Sequence, residues 1–314
     1  MIVRRLLVTI PMLFGAAVIV FFVLRLIPGD PATAILGSHS SPALVAQVRA
    51  DLGLNKPIYV QFGDWISRIL LHGNFGQDYI TSQSISSEMA SRLPVTLELC
   101  ALAFAGSVII AIPAGVVAAA HRGGWADRII QFVSVVTIAI PDFVFGILGI
   151  LLFALVLKLV PSSGYIPFSV SPWENIQSLA LPAIALALGF AGVLARVTRS
   201  AMIEALQADN IVFARAVGIQ PRSIVYRHAL RSAAIPIVTV AGMQAGYILG
   251  STVVIETLFV VPGIGQEVVQ AMLNRDYTVM QACVLIFVTG FILMNLLTDL
   301  FYLVLNPKLR RAAT

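Results

Sequence analysis

The chain has 314 residues, of which 59% are hydrophobic and 11% charged, and its mean hydropathy is +0.94. A soluble domain of this length could not bury so much apolar surface, so lipid is the solvent for most of the chain. The formal charge of +5 does not point to nucleic acid, because the basic residues of membrane proteins collect in the loops of one side for topological reasons.

Arg4 and Arg5 precede an apolar run over residues 6–27. This run exceeds the ~7–15 residues of a signal-peptide core and no small-x-small cleavage site follows it, so it reads as a retained first span. The segment 28–94 is the one sizeable stretch outside lipid. It opens on Pro-Gly-Asp-Pro, is punctuated near its end by Gly73 and Gly76, and has helical periodicity over 42–71: Leu44, Val48 and Leu52, then Tyr59, Phe62, Trp65, Ile66 and Ile69. Two readings of it stand level, a cap over the helix ends and a docking surface for an external partner.

Apolar segments of spanning length follow at about 96–120, 129–157, 179–197, 235–260 and 280–305. With the first they predict an all-α integral membrane protein of about six transmembrane helices, with both termini on one side. Arg4, Arg5, His121, Arg122, Arg128, the arginines of 196–231, Lys308, Arg310 and Arg311 fall on that side. Asp30, Asp51, Asp64, Asp78, Glu88, Glu174, Glu267 and Asp276 fall on the other. By the positive-inside rule the termini and the 196–231 loop are cytoplasmic. The organisation is then a first span within 1–27, an extracytoplasmic helical segment 28–94, a transmembrane core 95–305 with a cytoplasmic loop at 198–235, and a tail 306–314.

That loop is the most informative stretch. Residues 201–216 read as a helix with Met202, Ala205 and Leu206 on one face and Glu204, Gln207 and Asp209 on another. Gly218 follows where a left-handed cap suits glycine, and Pro221 where the first turn of a new helix needs no amide donor. Arg222, Ile224, Val225, Arg227, His228 and Leu230 decorate this second, short helix. Arginines alone would satisfy topology or float at the headgroups, but neither role needs a Gly-then-Pro break. The break points to a folded knuckle offered to a soluble partner. A DNA-binding helix-turn-helix is the weaker reading, since tethering at both ends leaves a recognition helix little freedom to reach a groove.

Ionisable residues in apolar segments are functional candidates because hydrocarbon penalises them. Asp142 follows Pro141 inside the third span, where the proline opens the hydrogen-bond ladder and a carboxylate can face a water-filled path. Pro141, Asp142, Gln244 and Glu256 are the candidate pathway residues. For Glu256, as for Glu98 and Asp299, capping a neighbouring helix or pairing with an arginine weighs more. His39, His72, His121 and His228 are too scattered for a metal site, and Cys100 and Cys283 lie in apolar runs without CxxC spacing. No GxxxxGK[ST] phosphate loop occurs, so no ATP site of that type lies in this chain. An intramembrane protease is disfavoured, because Gly263-Ile264-Gly265 is followed by Gln266 rather than aspartate and no HExxH helix or GxSxG elbow occurs. A self-sufficient secondary transporter or channel is the serious rival, although no internal repeat is evident.

The chain resembles, over essentially its whole length, the inner-membrane permease subunit of binding-protein-dependent ABC importers, in the dipeptide, oligopeptide and nickel branch. The resemblance is carried by RRLLVTIPMLFG, IPGDPA, LGLNKPIYVQFGDW, NFGQ, LPVTLEL, TRSAMIEAL, ARAVG, RHALRSAAIPIVT, VVIETLF, VPGIGQ, NRDYTVMQ and the closing NPKLRR, in that order. In that family the cytoplasmic loop is the EAA motif, which couples the permease to its ATPase. Ala214 and Gly218 match its pattern, while Val212 and Phe213 replace the leading Glu-Ala. Downstream, Leu230 matches but Arg231 stands where proline is expected, the next proline being Pro236.

The resemblance implies that Ala214, Arg215, Ala216, Gly218, Pro221, Arg222, Arg227, His228 and Leu230 form the ATPase-coupling surface. It also implies a second homologous permease subunit, two ATPase subunits that hold ATP and Mg, and an extracytoplasmic solute-binding protein in a bacterial inner membrane. The chain itself would be non-catalytic and free of cofactor. Short peptides are the first-choice cargo; nickel chelates, glutathione and opines are the alternatives.

Overall fold

The apolar stretches of spanning length among the described residues are helical, as lipid demands of a chain that must satisfy its own backbone. The structure, a computed structural model, describes residues 2–26, 32–33, 41–51, 53–78, 81 and 83–305. Most of the IPGDPA run and all of the closing NPKLRR run lie outside them.

The elements run α1 (Ile2–Arg25), α2 (Pro42–Asp51), α3 (Ile58–His72), α4 (Ile85–Ala120), α5 (Trp125–Ala139), α6 (Asp142–Gly149) with a π-helical continuation Ile150–Val156, α7 (Pro172–Gln207), α8 (Asp209–Ala216), a short turn Pro221–Ser223 with a π-helical stretch Ile224–Ala229, α9 (Leu230–Phe259), α10 (Ile264–Asn274) and α11 (Tyr277–Leu305). Four helices are long and apolar enough to cross a membrane: Ile85–Ala120, Pro172–Gln207, Pro221–Phe259 and Tyr277–Leu300. The pair α5 and α6 with its continuation makes one broken span, and α1 carries the apolar stretch Leu7–Val23. Among the described residues this makes four spans, or five with the broken pair, against the six expected from the sequence; the apolar stretch of α1 is shorter than the others.

Three details differ from the sequence reading. Residues 42–71 form two helices, parted where Gly53 takes a left-handed φ of +66°. The third span is bent by 100° between α5 and α6, because Pro141 lacks the amide that would continue the ladder and holds the residue before it extended: Ile140 has φ −94° and ψ 126°. The helix expected over 201–216 breaks at Ala208, whose ψ of 147° is extended, so the lipid-crossing helix α7 itself runs out to Gln207.

α7 is the central helix: 72% of its apolar window is buried, against 28% for those of α4 and α11. It packs against α4, α5, α6 and α9, while α11 lies against α9 and carries α1 on its outer side. Without a hydrophobic drive between helices in lipid, close approach through small residues does the packing. At Gly115 of α4 an added Cβ would stand 2.7 Å from the Ala195 carbonyl oxygen of α7 and 2.8 Å from Thr198 Cγ2. Arg5 pairs with Asp299, which puts the start of α1 and the end of α11 on the same side. Chain direction puts the α7–α9 connection there as well; this is called the knuckle end below.

Candidate functional site

The knuckle is built around a small core of its own. Ile211 and Ala214 of α8 and Ile224 beyond the turn are buried against one another, with Leu206 and Ile219 packed on them. Gly218 has φ +82° with no atom within 4 Å of where a Cβ would sit, so what the turn demands there is backbone conformation and not space. The Gly218 amide donates to Arg215 O and the Ile219 amide to Ala214 O, both at 3.1 Å, closing α8. Pro221 then begins the next helical turn.

Arg215, Ala216, Gly218, Pro221, Arg222 and Arg227 are exposed and His228 and Leu230 half-buried, whereas Ala214 is buried in the knuckle core. Ala214 therefore packs inside the knuckle and shapes it from within. Sequence reasoning passed over Val212, Phe213, Val217 and Tyr226, each more than half exposed beside the arginines. The signal was present: Val212 and Phe213 are the apolar residues that depart from the family pattern. Phe213 is 69% exposed, so the surface is an apolar patch rimmed by guanidinium groups, a composition suited to docking.

A second unforeseen feature ties the knuckle end to the broken span. Asp127, 1% exposed, accepts from Arg199 Nε at 2.5 Å and from Arg199 Nη2 at 2.8 Å. The Gly123 amide and Gln131 Nε2 donate to the same carboxylate at 2.8 and 3.0 Å. A bidentate pair with its remaining lone pairs satisfied is the arrangement in which a buried charge is tolerated. It clamps the start of α5 to the extension of α7.

The broken span lines a cavity of about 630 Å³. Its walls are Thr137 to Phe143 around the break, Gly189, Phe190 and Val193 of α7, and Gln244, Tyr247, Gly250, Ser251 and Val254 of α9. Asp142 is half-buried in the first turn of α6, where the helix dipole favours a carboxylate, and shares the cavity wall with Ser251. Gly189 makes its place: a methyl there would overlap the Asp142 carboxylate. A second cavity of about 570 Å³, lined by Arg196, Ser200, Glu204 and Pro236, shares Ile138 and Val193 with the first. The two make one groove from the middle of the bundle to the knuckle end.

Pro141, Asp142 and Gln244 thus meet around one cavity, and Glu256 does not. Glu256 is fully buried and accepts from the Gln266 amide at 3.0 Å, at the start of α10. Glu98 accepts from the Tyr165 hydroxyl at 2.9 Å, and Asp299 pairs with Arg5. Glu256 and Asp299 thus cap a helix and pair with an arginine as weighed, whereas Glu98 does neither and is held by a tyrosine hydroxyl.

At the end opposite the knuckle, Arg92 bridges Glu88 at 3.3 Å and Glu267 at 2.6 Å. Beside them Asp276 accepts from the Thr278 and Val279 amides, both at 3.0 Å, and so caps α11. Burial pushes the Asp276 carboxyl up to about 6, helped by the neighbouring Asp78 and opposed by the two capping amides.

Comparison with known proteins agrees with this architecture. Residues 111–311 match the family described as binding-protein-dependent transport system inner membrane component, and residues 1–100 match the N-terminal region of such membrane components. A putative peptide transport system permease protein of Brucella abortus (strain 2308) is 39% identical over 310 residues, covering 99% of this chain and 98% of that protein. A probable peptide ABC transporter permease protein of Sinorhizobium fredii is 39% identical over 312 residues, covering 98% of each chain. The glutathione transport system permease protein of Escherichia coli (strain K12) is 37% identical over 309 residues, with the same coverage. Among solved structures, the inward-facing MetNI methionine ABC transporter (CY5 selenomethionine-soak crystal form) shares the fold at a TM-score of 0.58 and 19% identity, covering 70% of this chain and 96% of that one.

A helical bundle with a groove along one flank and a folded knuckle at its end is the architecture of a transport permease. The chain belongs to the family of inner membrane components of binding-protein-dependent transport systems, and is a multi-pass permease subunit that works with ATPase and binding-protein components.

Proposed function

We propose that this permease forms half of an import pathway for short peptides. Its partners would be a second, homologous permease, two ATPases that supply ATP and Mg, and an extracytoplasmic solute-binding protein. The observation that carries the reading is the groove from Asp142 and Ser251 to Arg196 and Glu204: it runs along one flank of a single chain, so a second subunit is needed to close it. The peptide cargo is supported by the names of relatives that are 39% identical over nearly the full length.

The termini and the knuckle face the cytoplasm in this reading, in line with the arginines gathered there. Nucleotide-driven closure of the ATPases pulls on the knuckle and is relayed through α7 and α9 to the groove as alternating access. Asp142 offers a negative charge to the protonated amino group of a peptide in transit. The wild-type complex in proteoliposomes should import a dipeptide in an ATP-dependent manner, and Asp142→Asn should weaken that uptake while an N-acetylated dipeptide is transported equally by both proteins. Equal uptake of the free dipeptide by mutant and wild type would remove this role.

Glutathione is the second reading, favoured by the 37% identity to a glutathione permease. It carries the same amino group, so competition between glutathione and a dipeptide for binding-protein-stimulated uptake separates the two cargoes.

A further inference from the structure

The helix α3 lies in the segment expected to stand over the membrane mouth, yet its contacts are with the sides of spanning helices. Phe62, Trp65, Ile66 and Ile69 pack on Ala17, Val20 and Phe21 of α1 and on Val284 and Leu285 of α11. The Phe62 ring centre is 5.9 Å from that of Phe14, 5.2 Å from Phe21 and 6.4 Å from Phe22. Phe14 precedes Arg25, the end of α1, by enough turns to lie roughly 16 Å down the axis, and Leu285 lies roughly 12 Å into α11, at 1.5 Å per residue. A helix that touches both is beside the bundle, within the depth of one leaflet.

At 100° per residue the surface of α3 divides into three stripes. One is the face on α1 and α11 just described. On the opposite flank stand Gln61, Asp64, Arg68 and His72. Gln61 accepts from Arg25 at the end of α1, and Asp64 pairs with Lys56 at 2.7 Å. The third stripe, flanking the packed face on its other side, holds Tyr59 and Leu70, 73% and 75% exposed, and carries no charge. It adjoins the packed face, where Phe62 touches Phe14 and Phe22 of α1, themselves 56% and 39% exposed.

We propose that α3 is an interfacial helix seated in the leaflet opposite the knuckle, its Tyr59 and Leu70 stripe occupied by lipid acyl chains and its Asp64 and Arg68 flank held at the headgroups. A soluble partner would have to reach the stripe through the acyl layer that surrounds Phe14 and Phe22, and the second permease is proposed to close the groove walled by α5, α6, α7 and α9 rather than the α1 and α11 flank, which is why lipid is the occupant assigned. The inference requires α1 and α11 to be spans and is independent of the cargo.

The test is made on the assembled importer in vesicles of phosphatidylethanolamine and phosphatidylglycerol. Nitroxides are placed at Tyr59→Cys, Leu70→Cys and Asp64→Cys in a background with Cys100 and Cys283 replaced by alanine, and at Ile19→Cys on the bare side of α1 as reference. Labels at 59 and 70 should collide with oxygen far more than with chromium oxalate, as the label at 19 does, and the label at 64 should show the reverse. Chromium oxalate reaching 59 and 70 as readily as 64 overturns the proposal. So does loss of collision with both reagents at 59 and 70 when the binding protein is added, since that would mean a protein covers the stripe. If the labelled variants fail to assemble, hydroxyl-radical footprinting of the unmodified complex decides the matter: Tyr59 protected while His72 is oxidised supports the lipid seat, and equal oxidation of the two overturns it.

Discussion

The knuckle and the broken span solve opposite problems. In the proposed reading the knuckle presents a surface to something outside the chain, and its shape is local: one left-handed glycine, one helix-opening proline and a core of a few residues from neighbouring turns. In the same reading the broken span makes an interior hospitable to a polar solute, and its shape is distributed. Asp142 sits where it does because the chain bends by 100° at Pro141 and Gly189 of α7 leaves a gap, with Ser251 of α9 across the same cavity. A surface meant for a partner is written in a short stretch of chain, whereas a pathway is written across three helices that meet only after folding.

The largest effect should come from cutting the link between the two regions. Asp127→Ala leaves the half-buried Arg199 guanidinium without its partner and should lower stability by roughly 2 kcal/mol. Detergent-solubilised mutant should melt well below wild type; an unchanged melting curve would mean that the clamp carries no strain between α5 and α7.

Gly218→Val tests whether the knuckle is as local as it looks. A β-branched residue at φ +82° strains the turn by roughly 2 kcal/mol, while open space around it leaves the rest of the fold alone. Global melting should therefore change little, while ATPase stimulation by loaded binding protein and uptake should both fall. Full coupling in this mutant would dissociate the turn from transmission.

Gly189→Ala tests how distributed the pathway is. The added methyl forces the Asp142 carboxylate out of its place, so dipeptide uptake should fall by about tenfold, as expected when a hydrogen bond to a charged group is lost. Asp142→Asn should lower it similarly, and the double mutant should be no worse than either single one. Additive losses would separate the two residues.

The smallest effect is at the end opposite the knuckle. The Asp276 carboxyl is raised to about 6 in the fold, so the folded state holds this proton more tightly than the unfolded chain does. Its contribution to stability is full below about pH 4 and is lost as pH rises through about 6. Asp276→Asn keeps a capping oxygen and removes the charge. It should stabilise the fold at pH 7.5, by about 1 kcal/mol after allowing for solvent screening and the lost capping charge, raise the melting temperature accordingly, and do so clearly less at pH 4.5. A rise of equal size at both pH values would rule out titration as the cause.

The amino-acid sequence by itself determined the solvent, the order of the apolar helices, the position of the knuckle and the family. Each of these depends on composition, on apolar runs of membrane length or on a turn made by adjacent residues, and such features survive without knowledge of what lies across space. The nearest local miss was Ala208, where the helix expected over 201–216 breaks with neither glycine nor proline to mark it. Tertiary structure alone decided that Asp127 is clamped by Arg199, that Gln244 joins Asp142 at one cavity while Glu256 caps α10, and that α3 lies against the flanks of α1 and α11. Those facts join residues far apart in the chain, and in lipid their pairing is set by which small residues let helices approach, a property of two surfaces together and of neither sequence segment alone.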